Sequence, residues 1–355
     1  MRVLNFGSLN LDYVYEVPHF VSPGETLSAA KQSVNPGGKG LNQSVALARA
    51  GADVYHAGVL GNGGAMLQDV LEASGVHTDF LEKRDVVQGN AVIQVKADGE
   101  NCIILFGGSN QCITDEQVDE TVAHFGADDW LILQNEINAN ARIVDKAHER
   151  GMKIVLNPSP FDARLDDVDF AKIDWLLVNE VEAEQMTGFA QPDEAWRVIH
   201  KKWPHLSCVF TLGKDGCVAF RVDEAAFADK ASDASKAYGA DGVHEADGTR
   251  RPAAADKAAY AVCSQNDGSA DKAFSADKAA GGAVEKRMQP ALPVQAVDTT
   301  AAGDTFTGYF VAELMQGADL SRALQMATTA AAISVTRAGA AASVPKREEV
   351  TSSLK

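Results

Sequence analysis

The sequence predicts an α/β protein, a mostly parallel sheet with helices on both faces. Three observations carry that expectation. Apolar runs at 3–7, 54–59, 130–134, 154–157, 175–178 and 208–212 alternate with helical periodicity at 41–50, 65–74, 115–125, 139–150, 180–187 and 193–202. Short Gly, Asn and Pro punctuation separates these elements, as βαβ units require. The 355 residues, 46% of them hydrophobic, suffice for one large core.

Taken in order, the remaining elements depart from this rhythm in two places. Residues 11–17, 26–34 and 90–106 read as strands with no helix between them, the last broken by Asp98-Gly99, a hairpin signal. They predict a small second sheet over one end of the main one, a lid that excludes water; an ordinary edge extension is the alternative. Residues 223–290 are dominated by Ala, Asp, Lys, Gly and Ser, with Ala-Asp-Lys recurring at irregular intervals. Such a stretch has too little apolar surface to offset its ordering entropy, which predicts a flexible low-complexity insertion. The α/β pattern then resumes with a strand at 294–297, Ala-rich helices at 302–314 and 321–335, and a last helix near Pro345.

Composition excludes several classes of function. A formal net charge of -17 with no Lys/Arg block argues against nucleic acid and anionic lipid as partners. No run of about 18 apolar residues is present, so no membrane helix is expected. The opening MRVLNFGSLNLDYVY lacks a basic segment and cleavage site, which predicts no secretory signal. Five cysteines without a Cys-x-x-Cys pair are expected to be reduced thiols of a cytoplasmic protein.

The strongest chemical signal is DTTAAGDTF at 298–306. A strand precedes it, and a helix is expected to start within 301–304. Small residues there leave the first helical N–H groups open, and unpaired donors at the positive end of the dipole make an anion site. Asp304 falls in that first turn, placed to take a proton from a hydroxyl next to a bound phosphate. The bland reading is a helix-start acid with Gly303 as a close-packing residue.

NPGGKGLNQSVALARAG at 35–51 forms a Gly-rich turn running into a helix at Leu41. A Walker A reading fails because Gly40 follows Lys39 where Ser or Thr is needed, and G-x-G-x-x-G is absent. Asn10 and Asp12 follow the first strand, and Glu136 follows LILQ; strand carboxyl ends are where open α/β sheets bind ligands. A carboxylate there accepts several sugar hydroxyls, although each residue alone reads equally as a solvated loop residue. Asn179 to Glu182, after another strand, suits either a magnesium-linked carboxylate or plain helix capping.

Together these motifs resemble the ribokinase-like, or phosphofructokinase B, family of carbohydrate kinases. GGKGLNQ (37–43) is similar to its first motif and DTTAAGDTF to its second; GSLNLD (7–12), LNPSP (156–160), NEVEAEQMTG (179–188), TLGKDG (211–216) and SVTRAGAAASVP (334–345) extend the likeness. The resemblance implies a single ribokinase-like kinase domain over 1–355, three-layered, with lid strands within 11–34 and 90–106. It further implies ATP-dependent phosphorylation of D-ribose at the 5-hydroxyl, with another sugar, a nucleoside or a non-catalytic sensor as alternatives. Asp304 would be the base and the 301–304 amides (Ala301, Ala302, Gly303) the anion hole. Asn10, Asp12, Gly38, Lys39, Asn42 and Glu136 match sugar positions. Asn179, Glu182, Thr211, Gly213, Lys214, Gly216, Gly303 and Thr328 match ATP or magnesium positions. Asp298, Thr300, Ser334, Arg337, Gly339 and Ser343 match a potassium site. A homodimer through the lid strands is also implied. Two departures stand out: the 223–290 insertion, and GNGGAM at 61–66 where relatives carry an acidic turn.

Overall fold

The runs VLNF, WLILQ, WLLVN and SCVFT are apolar on both faces, and each becomes an interior strand. A computed structural model describes residues 1–223 and 284–354. In chain order the strands are β1 (Val3–Phe6), β2 (Asn10–Glu16), β3 (Lys31–Gly37), β4 (Val54–Asn62), β5 (His77–Val87), β6 (Asn90–Val95) and β7 (Asn101–Phe106). They continue as β8 (Trp130–Gln134), β9 (Lys153–Asn157), β10 (Trp175–Asn179), β11 (Ser207–Thr211), β12 (Cys217–Val222) and β13 (Val284–Gln289). The helices are α1 (Lys39–Arg49), α2 (Ala65–Ala73), α3 (Asp115–Ala123), α4 (Asn140–Glu149), α5 (Glu180–Thr187), α6 (Pro192–Lys202), α7 (Ala302–Met315), α8 (Leu320–Ser334) and α9 (Arg347–Ser353).

The main sheet runs β13-β12-β11-β10-β9-β8-β1-β4-β5. It is parallel from β5 to β11, and β12 and β13 add antiparallel at one edge. Val3, Ile132, Val155, Leu177 and Val209 point to one face, where α1, α7 and α8 share their core. Leu4, Leu131, Leu156, Leu176 and Phe210 alternate to the other face and are equally buried, so both faces are covered. A separate sheet, β3-β2-β6-β7, forms from the stretches expected to make the lid. Its β6–β7 hairpin turns at Asp98-Gly99, where Gly99 adopts φ +86°.

Close approach fixes α1. A Cβ on Gly40 would lie 2.3 Å from the Ser8 amide nitrogen and 2.5 Å from the Gly7 carbonyl carbon. One on Gly308 in α7 would lie 2.4 Å from the Ala46 Cβ and 2.8 Å from the Leu47 nitrogen. Two glycines therefore let one helix rest directly on both the β1–β2 turn and α7.

Several expected boundaries change. The strand expected at 26–34 begins only at Lys31 and runs on through Pro36 and Gly37, which pair with Leu11 and Asn10 instead of forming a turn. Residues 294–297 form no strand; the edge strand is β13, inside the span expected to be an insertion. The rest of that expected insertion, 224–283, lies outside the described residues. β5 and β12 were not foreseen, because β5 carries charges along a partly exposed edge and β12 follows β11 after only a short turn. No helix among the described residues is long and apolar enough to cross a membrane.

Candidate active site

The site starts at the head of α7. Ala301 precedes it in a left-handed conformation (φ 60°), rare for a residue with a side chain, and no side chain caps the helix. The Ala302 amide donates to the Thr299 carbonyl at 3.3 Å, so of the four amides expected to be open Ala302 is engaged, and those of Ala301, Gly303 and Asp304 make no hydrogen bond among the described residues. Gly303 has no atom within 4 Å of a built Cβ, so it is not a close-packing residue. Its bare backbone faces open space where a ligand can approach.

Asp304 is buried, and each carboxylate oxygen takes a hydrogen bond from α1. Asn42 Nδ2 donates to Oδ2 at 3.1 Å and Gln43 Nε2 donates to Oδ1 at 2.9 Å. The Asn42 Oδ1 is buried with no partner among the described residues. Both Gly-rich motifs thus converge on one carboxylate, across residues 262 apart in sequence.

Lys39, the first residue of α1, is half-buried beside this carboxylate. Burial alone would depress its ammonium, but Asp304, Glu136 and Glu182 outweigh that and hold it above its ordinary value. Glu136 Oε2 accepts from the Ser8 hydroxyl at 2.5 Å and the Lys39 amide at 3.1 Å. Asp12, on β2 of the small sheet, is pushed up to about 7, first by burial and then by the charges of Glu136 and Asp304. It packs on Gly37, whose built Cβ would lie 2.0 Å from Asp12 Oδ2. Asn10 Oδ1 accepts from Asn110 Nδ2 at 2.7 Å. Gly38 sits at φ 94° with a built Cβ 3.0 Å from the Asn10 nitrogen. The predicted sugar residues are therefore together, and sequence reasoning missed Ser8, Asn110 and Gln43 among them. Gln43 and Ser8 lay inside motifs already singled out, GGKGLNQ and GSLNLD; Asn110 carried no local signal.

A cavity of about 250 Å³ opens on the other side of Lys39 and Asp304, lined also by Asn179, Glu182, Thr211 and Ala301. Asn179 caps α5: its Oδ1 accepts from the Glu182 amide at 2.9 Å, and Glu182 accepts from both Asn179 nitrogens at 2.9 and 3.0 Å. The capping reading thus accounts for both Glu182 oxygens. Gly213, Lys214 and Gly216, in the β11–β12 turn, do not line this cavity, nor does Thr328, whose hydroxyl lies 3.7 Å from the Cys217 sulfur.

Of the residues expected around potassium, Asp298 gathers Thr300 and Gly339, whose amides each donate to it at 2.9 Å. Burial opposes the ionised Asp298, but these bonds hold it below its ordinary value. Ser334 and Ser343 donate to the Ala331 and Ala340 carbonyls, both at 2.8 Å, and Arg337 pairs with Glu349. Among the described residues no cluster of three or more His, Cys, Asp or Glu is arranged to hold a metal ion.

Residues 2–240 and 273–347 match the family model described as pfkB family carbohydrate kinase. The chain belongs to this family and is a sugar kinase of the ribokinase-like type. It is 30% identical over 353 residues to a ribokinase of Haemophilus influenzae, covering 97% of this chain and 95% of that one. Its fold is similar to a structure of Arabidopsis thaliana ribokinase complexed with ribose and ATP, with TM-score 0.74, 25% identity and coverage of 100% and 98%. A deoxyribokinase of Salmonella typhi is 25% identical, covering 98% of this chain and 97% of that one.

Proposed function

We propose that the chain transfers the γ-phosphoryl group of ATP to the 5-hydroxyl of D-ribose, giving ribose 5-phosphate and ADP. The observation that carries the reading is one buried carboxylate, Asp304, held by two amide donors in the first turn of an uncapped helix. As the sugar oxygen bonds to phosphorus and the bond to ADP breaks, the hydroxyl proton passes to Asp304. The open amides of Gly303 and Asp304 and the Lys39 ammonium meet the charge of the transferring group. Asn10, Asp12, Asn42 and Glu136 would hold the sugar, and an all-polar set favours a bare sugar over a nucleoside. The ribokinase likeness favours ribose, and the deoxyribokinase likeness keeps deoxyribose as the second reading.

Asn179 and Thr211 would face the nucleotide. Glu182, already held by Asn179, offers magnesium a contact through water, and the ion itself would ride on the phosphates and neutralise them. Potassium would be held by main-chain carbonyls of the 298–300 and 334–343 turns, since the Asp298, Ser334 and Ser343 side chains are engaged; it would supply a fixed positive charge. The lid sheet would pair two copies. Ile103, Ile104, Leu105 and Phe106 on its edge strand β7 are all exposed, and sedimentation at the mass of one chain would contradict that pairing.

A coupled ATP-turnover assay across ribose, deoxyribose, fructose, tagatose and adenosine tests the assignment. Ribose is expected to give the highest kcat/KM, and a deoxyribose preference overturns it. In the same assay Asp12 predicts a pH dependence. Only its ionised form accepts from two sugar hydroxyls, so KM for the sugar falls as pH rises through about 7. A KM that is flat across that range removes Asp12 from sugar binding.

A further inference from the structure

We propose that Gln43 is a positioning residue for Asp304, and that its orientation is set by a relay of buried amides anchored on the backbone. The proposal rests on Asp304 being the base.

The relay can be followed from its fixed end. The Gly40 carbonyl can only accept, so Asn5 must present its nitrogen there, which it does at 2.8 Å. The same nitrogen donates to the Ser44 hydroxyl oxygen at 2.8 Å. That leaves the Asn5 oxygen to accept, and Gln134 Nε2 donates to it at 3.1 Å. Gln134 Nε2 donates its other hydrogen to Gln43 Oε1 at 2.7 Å. With its oxygen so engaged, Gln43 has only its nitrogen to turn toward Asp304 Oδ1.

A second branch ends the same way. Ser44 Oγ lies 2.8 Å from His56 Nδ1, and His56 Nε2 lies 3.2 Å from the Gly7 carbonyl. That carbonyl requires a proton on Nε2, so Nδ1 accepts from Ser44, whose oxygen is then free to accept from Asn5. Burial pushes His56 down to about 4, which keeps it in this neutral form at ordinary pH. Asn5, Gln43, Ser44, His56 and Gln134 are all buried. None is free to flip without opposing two donors or two acceptors elsewhere.

The arrangement carries a penalty that packing alone would remove. Using both Gln134 hydrogens in the relay leaves its Oε1 buried without a donor among the described residues. An orphaned acceptor costs stability, whereas apolar side chains of the same size would not. Its presence fits a device that fixes the direction of the Gln43 donor. Asn42 lacks such support, since its own oxygen has no partner; Gln43 is the amide that locks the carboxylate.

The test compares Gln43→Met and Gln134→Met in the full chain. Each is expected to lower kcat about tenfold or more, with sugar and ATP KM within about threefold. In an Asp304→Asn background the same substitutions are expected to cost nothing further, because they act through that carboxylate. The thermal transition of each variant is measured alongside, and kcat is compared in protein folded at the assay temperature, which separates lost positioning from lost folding. Turnover within about twofold of the parent in folded Gln43→Met overturns the proposal, as does a further loss in the Asp304→Asn background. If Asp304→Asn alone retains turnover, it is the base assignment that fails.

Discussion

Replacing Asp304 with Asn is expected to lower kcat by about a thousandfold, the middle of the range for removing a general base. The carboxamide keeps the shape of the carboxylate, and Gln43 can still donate to its oxygen. Its new nitrogen would confront the Asn42 nitrogen, but Asn42 has a buried oxygen with no partner. A flip of Asn42 turns that conflict into a hydrogen bond, so the fold should tolerate the change. Lys39 loses one of its three neighbouring carboxylates and keeps Glu136 and Glu182. What disappears is the proposed acceptor for the hydroxyl proton. ATP affinity, measured by calorimetry, should stay within about threefold, since the cavity beside Asp304, where the nucleotide is proposed to bind, is lined mainly by other groups. Turnover within about tenfold of the parent would remove Asp304 as the base.

Gly40→Ala is expected to destabilise the protein by about 3 kcal/mol, the upper range for overpacking. The added methyl would meet the Ser8 nitrogen at 2.3 Å and two Gly7 atoms at 2.5 and 2.6 Å. All three are backbone, so no flexible side chain can yield. Helix α1 would have to lift away from the β1–β2 turn, taking Asn42 and Gln43 with it. Urea unfolding should show the loss, and kcat should fall in the protein that remains folded. A midpoint unchanged from the parent would mean that the turn moves freely, contrary to its packing.

Much of this organisation is legible in the chain because its cues are local. β8, β10 and β11 are apolar runs bounded by polar ends, and α1 and α7 begin beside glycine where the period changes. The edge strand β13 is different. VEKRMQ exposes most of its side chains and follows a compositionally biased stretch, so nothing within it marks a strand. It is defined by pairing with β12, Val222 opposite Val284, across a long sequence separation. The site divides in the same way. Asp304, Asn42, Asp12 and Glu136 could be picked from motifs because residue type suggests the chemistry. That two α1 amides converge on one carboxylate could not, since helix packing decides it. Nor could the engagement of Glu182 by Asn179, which only the geometry of the α5 cap reveals.

The span of 262 residues between Asn42 and Asp304 also bears on how the protein is made. During synthesis, N-terminal segments emerge and begin to fold first. The chain can pair β1, β4 and β8 and assemble the amide relay while α7 is still absent. Only when α7 docks on α1, Gly308 against Ala46, do the amides receive their carboxylate. A nascent chain stalled before residue 302 would therefore carry a nearly complete sheet and no reaction centre, and activity would arrive among the last events of folding.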